Sequence, residues 1–259
     1  MKTEEKIIYY KDEANDDFAN NNINKKPLGK GFKYIHNNFF FKIFEFSLYY
    51  IIAFPLVYLI QKIYSHQKFI NRKAFKKAKA DGYFIYGNHT QLLNDAYVGA
   101  LATFPKKCFI ITHPDATSIK GIRLIVQALG AIPVGENIKE TNARVECIEK
   151  RMMQKKAILI YPEAHLWPYY TKIRNFPYHS FRYPAMFNKP IFVLTNCYQK
   201  RKFSKRPKIL TFVDGPFYPN PDLNEIDSAK ELRNIAYGTM CSRVREHSTY
   251  EYIKYIKEE

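Results

Sequence analysis

From Tyr83 onward, short apolar runs alternate with longer segments of helical spacing, and this alternation restricts the fold more than any other feature of the chain. "YFIYGN", "KCFIITH", "AIPVG", "AILIYPE", "PIFVLTNCY" and "KILTFVDGPF" read as strands. Between them "QLLNDAYVGALATF", "SIKGIRLIVQALG" and "KETNARVECIEKRMMQK" read as helices. A last helix, "NEIDSAKELRNIAYGTMCSRVREHS", has Asp227 and Ser228 available to cap it. Strands that are apolar throughout are buried on both faces, so the pattern predicts an α/β domain over 71–259 with a mixed sheet flanked by helices. No internal repeat and no second domain are visible.

Two segments precede that domain. Residues 1–36, polar and rich in Asn and Asp, read as a flexible arm without a signal-peptide pattern. Residues 37–70 read as amphipathic or apolar membrane-anchoring helices. Phe46 to Ile60 carries no charge and is flanked by Lys42 and Lys62. That run is shorter than the roughly 20 apolar residues a span needs, and Pro55 is expected to kink a helix there. Abundant Tyr and Phe suit a membrane interface. An interfacial or re-entrant anchor is therefore preferred, with a packed core helix and a true span as alternatives.

Charge narrows the partners. The 259 residues contain 41 Lys plus Arg against 24 Asp plus Glu, a formal charge of +17. Such a chain is drawn to nucleic acid, anionic membranes or acidic substrates. Its cations are dispersed apart from one dense run, "KRKFSKRPK" at Lys200 to Lys208, and no nucleic-acid motif accompanies them. Cys108, Cys147, Cys197 and Cys241 form no CxxC pair, so neither a zinc site nor a disulfide framework is expected, and a reducing compartment is the default.

Ligands of open α/β sheets gather at the carboxyl ends of strands, and two such ends carry reactive residues. One is "YGNHTQLLND", with His89 and Asp95; the other is "YPEAHLWP", with Glu163 and His165. A lone histidine in a turn is ordinarily a surface or capping residue. Here Gly87 permits a close turn, Thr90 is a candidate N-cap, and Asp95 can orient the imidazole. A hydrolytic metal site using His89, Asp95, Glu163, His165 and His113 is the weaker alternative, because the chain lacks the compact H-x-x-x-H pairing of zinc enzymes.

In their order these segments resemble the glycerolphosphate/lysophosphatidate acyltransferase family, whose hallmark is N-H-x4-D followed by a strand ending in P-E-G-T-R. "LGAIPVGEN" is similar to the second block of that family, "KIRNFPYHSFRYPA" to its F-K-x-G-x-x-x-x-A segment, "KPIFVLTN" to the fourth block, and "ILTFVDGPF" to the late strand ending in G-x-P. The apolar helix at 39–64 stands where the family has its membrane anchor, and the resemblance covers roughly 40–245. It implies O-acyl transfer from acyl-CoA or acyl-carrier protein to the hydroxyl of a lysophospholipid or related acceptor. His89 would be the general base and Asp95 its orienting carboxylate, with backbone N–H groups just after His89 as oxyanion donors. Glu163, His165, Arg174 and Arg182 would lie at the acceptor. No metal or cofactor is implied. The implied partners are membrane lipids and the acyl donor, not nucleic acid, at the cytoplasmic face of the membrane.

Four departures qualify this. Five residues, not four, separate His89 from Asp95, which leaves Asn94 at the family's aspartate position. Ala164, His165 and Leu166 replace Gly-Thr-Arg, and Gly135, Glu136 and Asn137 stand where the second block carries an arginine. Thr195 replaces a proline. The two missing arginines bear on phosphate recognition, since bidentate guanidinium contacts hold a phosphate best. The alternative is a basic, non-catalytic lipid-binding protein on the same fold.

Overall fold

Seven strands make one sheet in the order β2-β8-β7-β3-β6-β4-β5. They are β2 Lys68–Ile70, β3 Tyr83–Gly87, β4 Cys108–Thr112, β5 Ala131–Pro133, β6 Ala157–Ile160, β7 Ile191–Gln199 and β8 Lys208–Phe217. All neighbours are parallel except β7 and β8, which form an antiparallel pair. The computed structural model describes residues 6–19, 27–28, 31–118 and 121–258.

Side-chain alternation along β3 shows why the central strands lack a polar face. Phe84 and Tyr86 join Ile158, Ile160 and Val193 under the helices Ile138–Met153 and Glu225–His247. Tyr83 and Ile85 join Leu159, Phe192 and Leu194 on the other face, beneath Phe75 and Val98. The expected mixed sheet flanked by helices is thus the observed one.

Several local expectations are corrected. The helix expected from Gln91 starts later: a 3-10 turn, Asn94–Ala96, precedes Val98–Thr103, because the turn after His89 takes up the extra residue. The last helix is capped by Asn224, whose side chain accepts the Asp227 N–H at 3.0 Å, rather than by Asp227 or Ser228. Thr90 caps nothing; its hydroxyl bonds the Tyr198 hydroxyl at 2.7 Å. The basic stretch after Asn71 is a 3-10 helix, Arg72–Ala78, with Ala74, Phe75 and Ala78 buried.

Two corrections concern the N-terminal third. Phe39–Ile63 is one helix, about 37 Å long at 1.5 Å per residue, and by length and composition alone it could cross a membrane. Pro55 does not break it. Wide π-type turns over Ser47–Ala53 shift the hydrogen bonding just before the proline, so that the Phe54 N–H reaches Tyr49 O and the amide that Pro55 lacks is not missed. The arm expected to be loose over 1–36 is docked in much of its described part. Lys6–Tyr10 (β1) pairs in parallel with Ile253–Lys257 (β9). The indole N–H of Trp167 donates to Asp16 O at 2.8 Å, and Tyr10, Phe18 and Tyr255 surround its fully buried ring. Aromatic burial of this size outweighs the polarity of the arm's other residues. Deleting residues 1–19 is therefore expected to red-shift the emission of Trp167, the only tryptophan of the chain, and to lower the melting temperature by several degrees. Unchanged emission and melting would refute the docking.

Candidate active site

The catalytic candidates sit past the carboxyl ends of β3 and β6, which are adjacent and parallel. β3 is continued beyond Gly87 by a side chain. The Asn88 amide accepts the Asn196 N–H at 2.8 Å and donates to Asn196 O at 3.1 Å, so it copies one further backbone pairing with β7. This fixes the chain direction just before His89. Gly87 serves a close approach, because a Cβ there would come within 2.9 Å of the Tyr161 ring.

His89 Nδ1 lies 2.7 Å from Asp95 Oδ2. An ionised carboxylate only accepts, so Nδ1 is the donor and Nε2 carries the free lone pair. The same Oδ2 accepts the Gln91 N–H at 2.9 Å. The aspartate side chain is 3% exposed and the imidazole 23%, which leaves the ring in reach of a substrate while its partner is closed off from water. Tyr161 stacks flat under the imidazole, with centroids 4.4 Å apart, and its hydroxyl donates to Asp95 O at 2.8 Å. One tyrosine thus supports both members of the pair, a role the sequence reading missed; its only signal was its place before Pro162 and Glu163.

Asn94 is not the imidazole's partner. Its Nδ2 donates to Ser65 Oγ at 2.8 Å and to Gln91 Oε1 at 2.7 Å, and the Tyr97 hydroxyl donates to its Oδ1 at 2.6 Å. The residue that makes the spacing one longer therefore fastens the turn to the end of the apolar helix.

Glu163, expected at the acceptor, is buried and faces inward. Its Oε2 accepts the His89 N–H at 2.9 Å and its Oε1 the Arg174 N–H at 2.9 Å. Burial pushes its carboxyl above the usual range, against the pull of the Arg174 charge and of the two N–H donors. Arg174 is likewise corrected. Its guanidinium is enclosed, 3.6 Å from Glu163 and donating to the carbonyls of His165 and Glu13, so it is not available to hold an acceptor. Arg182 lies at the surface and pairs with Glu225 at 2.7 Å. The ring of His165 stays part-exposed, with Nδ1 3.7 Å from Asp17. Among the N–H groups just after His89, expected as oxyanion donors, that of Gln91 is taken by Asp95.

The metal alternative gains no support: His113 pairs with Asp115, and among the described residues no three His, Cys, Asp or Glu side chains are grouped to hold an ion. Beside Asp95, an apolar cavity of about 170 Å³ runs between the long helix and the sheet. Phe54 and Val57 line one wall, and Ala96, Tyr97, Cys108 and Leu159 line the other.

Ala164, where the resembled motif has glycine, is held at φ 63°. A Cβ in the left-handed region costs about 1–2 kcal/mol. Ala164→Gly is therefore expected to raise stability to denaturant by about 1 kcal/mol; a lower midpoint would show that the Ala164 methyl contributes packing that outweighs the strain.

Comparison with known proteins bears on this arrangement. No curated protein sequence matches the chain significantly. Its fold is similar to the crystal structure of the 1-acyl-sn-glycerophosphate (LPA) acyltransferase PlsC from Thermotoga maritima. The TM-score is 0.53 at 14% identity, over 80% of this chain and 88% of that one. A family model described as Acyltransferase matches residues 66–198, a span that contains His89, Asp95 and Glu163. The chain belongs to the acyltransferase family, and it is an acyltransferase.

Proposed function

We propose that this acyltransferase moves a fatty acyl group from acyl-CoA or acyl-carrier protein to the hydroxyl of a lysophospholipid or related lipid. The observation that carries the reading is the 2.7 Å contact between His89 Nδ1 and the buried Asp95, in the turn after the carboxyl end of β3. His89 Nε2 takes the proton of the acceptor hydroxyl while that oxygen bonds the thioester carbonyl carbon. Asp95 stabilises the imidazolium so formed. The C–S bond then breaks, and the departing thiolate receives the proton from His89. Glu163 acts as a positioning residue through the His89 backbone. With Arg174 enclosed, the acceptor's headgroup is not gripped by an arginine of the Glu163 loop, which favours an acceptor recognised chiefly by its lipid part.

The apolar cavity beside Ala96 and Tyr97 suits the acyl chain. The long helix suits a membrane that the protein enters from one side. It packs lengthwise on the domain: Tyr49 Oη accepts the Cys108 N–H, Phe54 stacks on Phe104, and Gln61 donates to Gln67 O. Its other side exposes Phe40, Ile43, Phe46, Ile51 and Leu59, and Leu93 and Leu124 lie exposed elsewhere on the domain. A helix bound to the domain along its length cannot cross the bilayer without drawing the sheet in with it. This packing supports peripheral or monotopic attachment, which we propose to be at the cytoplasmic face.

The test is acyl transfer by purified protein, offering acyl-CoA and acyl-carrier protein with lyso-acceptors that do and do not carry phosphate. His89→Ala is expected to lower the rate by about 10²–10⁴-fold with an unchanged melting curve. Asp95→Asn should lose activity of similar order, and Asn94→Ala far less, because it leaves the pair intact. A His89→Ala enzyme as active as wild type would end the proposal and favour a lipid-binding role. Glu163→Gln separates positioning from acceptor binding. It leaves the Arg174 cation unpaired and is expected to destabilise the fold by about 3–5 kcal/mol. Unchanged stability with only a raised KM would instead place Glu163 at the acceptor.

A further inference from the structure

A second concavity, of about 500 Å³, lies at the opposite strand ends. Lys107 immediately precedes β4 and Lys156 immediately precedes β6, whereas His89 and Glu163 follow the carboxyl ends of β3 and β6. About 13 Å of strand separates the two ends of β6. Lys42, Lys107, Lys150, Arg151 and Lys156 line this cleft against a single carboxylate, Glu45. We infer that it binds the phosphate of an anionic lipid headgroup.

Three features support this beyond the excess of charge. First, the cations are held in place. Lys107 donates to Glu45 at 2.7 Å and to Ala128 O at 2.6 Å, and Lys150 donates to Asn37 at 2.7 Å. The Arg151 guanidinium lies 4.3 Å over the Phe109 ring with Nη1 on Gln154. Second, the cluster is under-neutralised. Burial pulls the Lys107 ammonium down to about 8 even with Glu45 alongside, and Arg151 and Lys156 add to the pull. Arg151 Nε is buried and, apart from the Cys147 thiol that the Arg151 side chain meets, has no hydrogen-bond partner among the described residues. An acceptor-only anion relieves both. Third, the long helix supplies one wall through Lys42, Glu45 and Phe46, and Phe39, Phe40, Ile43 and Phe44 are exposed on the same stretch of helix. A lipid lying against those rings has its headgroup within reach of the cleft, the arrangement by which basic side chains beside an embedded helix hold anionic lipid.

The inference rests on the helix being the membrane-facing element but not on the acyl-transfer chemistry. The test is flotation of the full chain with phosphatidylcholine vesicles, with and without phosphatidylglycerol, with inorganic phosphate as competitor. Wild type should prefer the anionic vesicles. Lys150→Gln with Arg151→Gln should lose at least about tenfold of that preference and keep binding to neutral vesicles. Lys202→Gln with Lys205→Gln, the same charge change in the "KRKFSKRPK" hairpin, should lose less. Lys42→Gln, on the helix itself, provides a second variant should the first not fold. Competition by phosphate that is abolished in the variant identifies a site for the free ion as well; preference lost without such competition identifies a headgroup site. Equal loss in the hairpin and cleft variants, or a wild type indifferent to anionic lipid, overturns the proposal and leaves the helix as membrane face. Binding to neither vesicle overturns both.

Discussion

The site depends on a carboxylate that is closed off from water. Glu163 joins two turns by taking one backbone N–H from each, and Arg174 supplies the countercharge behind it. A buried carboxylate is stable only when its lone pairs are met by donors, and here the donors are the main-chain groups whose placement the chemistry requires. The elevated carboxyl pKa reflects the desolvation this arrangement carries. In return, the main chain at His89 is held without any contact to its reacting ring. The backbone on either side is held as well: Asn88 ties it to Asn196, and the N–H groups of Trp167 and Tyr169 bond His89 O and Thr90 O.

The His89 turn and the apolar helix share one connection. Asn94 stands one residue before the orienting aspartate, yet its side chain reaches Ser65 just past the apolar helix. The longer spacing after His89 is therefore put to use. The His89 turn and the helix packed against it are tied together by this bond, and the apolar cavity is bounded by both.

Much of this was legible in the residues because burial on two faces leaves a plain apolar signature. The six strands expected from "YFIYGN" to "KILTFVDGPF" are all present, and Asp95, which the family resemblance points to and which was preferred to Asn94 because only a carboxylate stabilises an imidazolium, is the residue that contacts the imidazole. The reading failed where tertiary contacts override local composition. Lys6–Tyr10 looks like part of a polar arm until Ile253–Lys257 is beside it, and Lys68–Ile70 is too short to signal a strand without Leu210 and Phe212 as neighbours. Glu163 was expected at the acceptor from its match to the P-E-G-T-R glutamate, and Arg174 as a nearby cation; buried and ligand-facing ion pairs use the same residue types, so the sequence does not show which way they point. Their direction is set by a loop whose positive φ at Ala164 and Tyr169 no side-chain pattern announces.

The pairing of β1 with β9 bears on how the molecule comes to exist. The two strands are separated by more than two hundred residues of chain, among the most non-local contacts in the fold, and such contacts form late. On the ribosome, the strand that helps enclose Trp167 is made long before the strand that completes the enclosure. During that interval the indole and the Arg174 charge beside it have their full surroundings only in part. Enclosure of Trp167 is thus complete only once β9 has been made, a stage at which the apolar helix has already emerged.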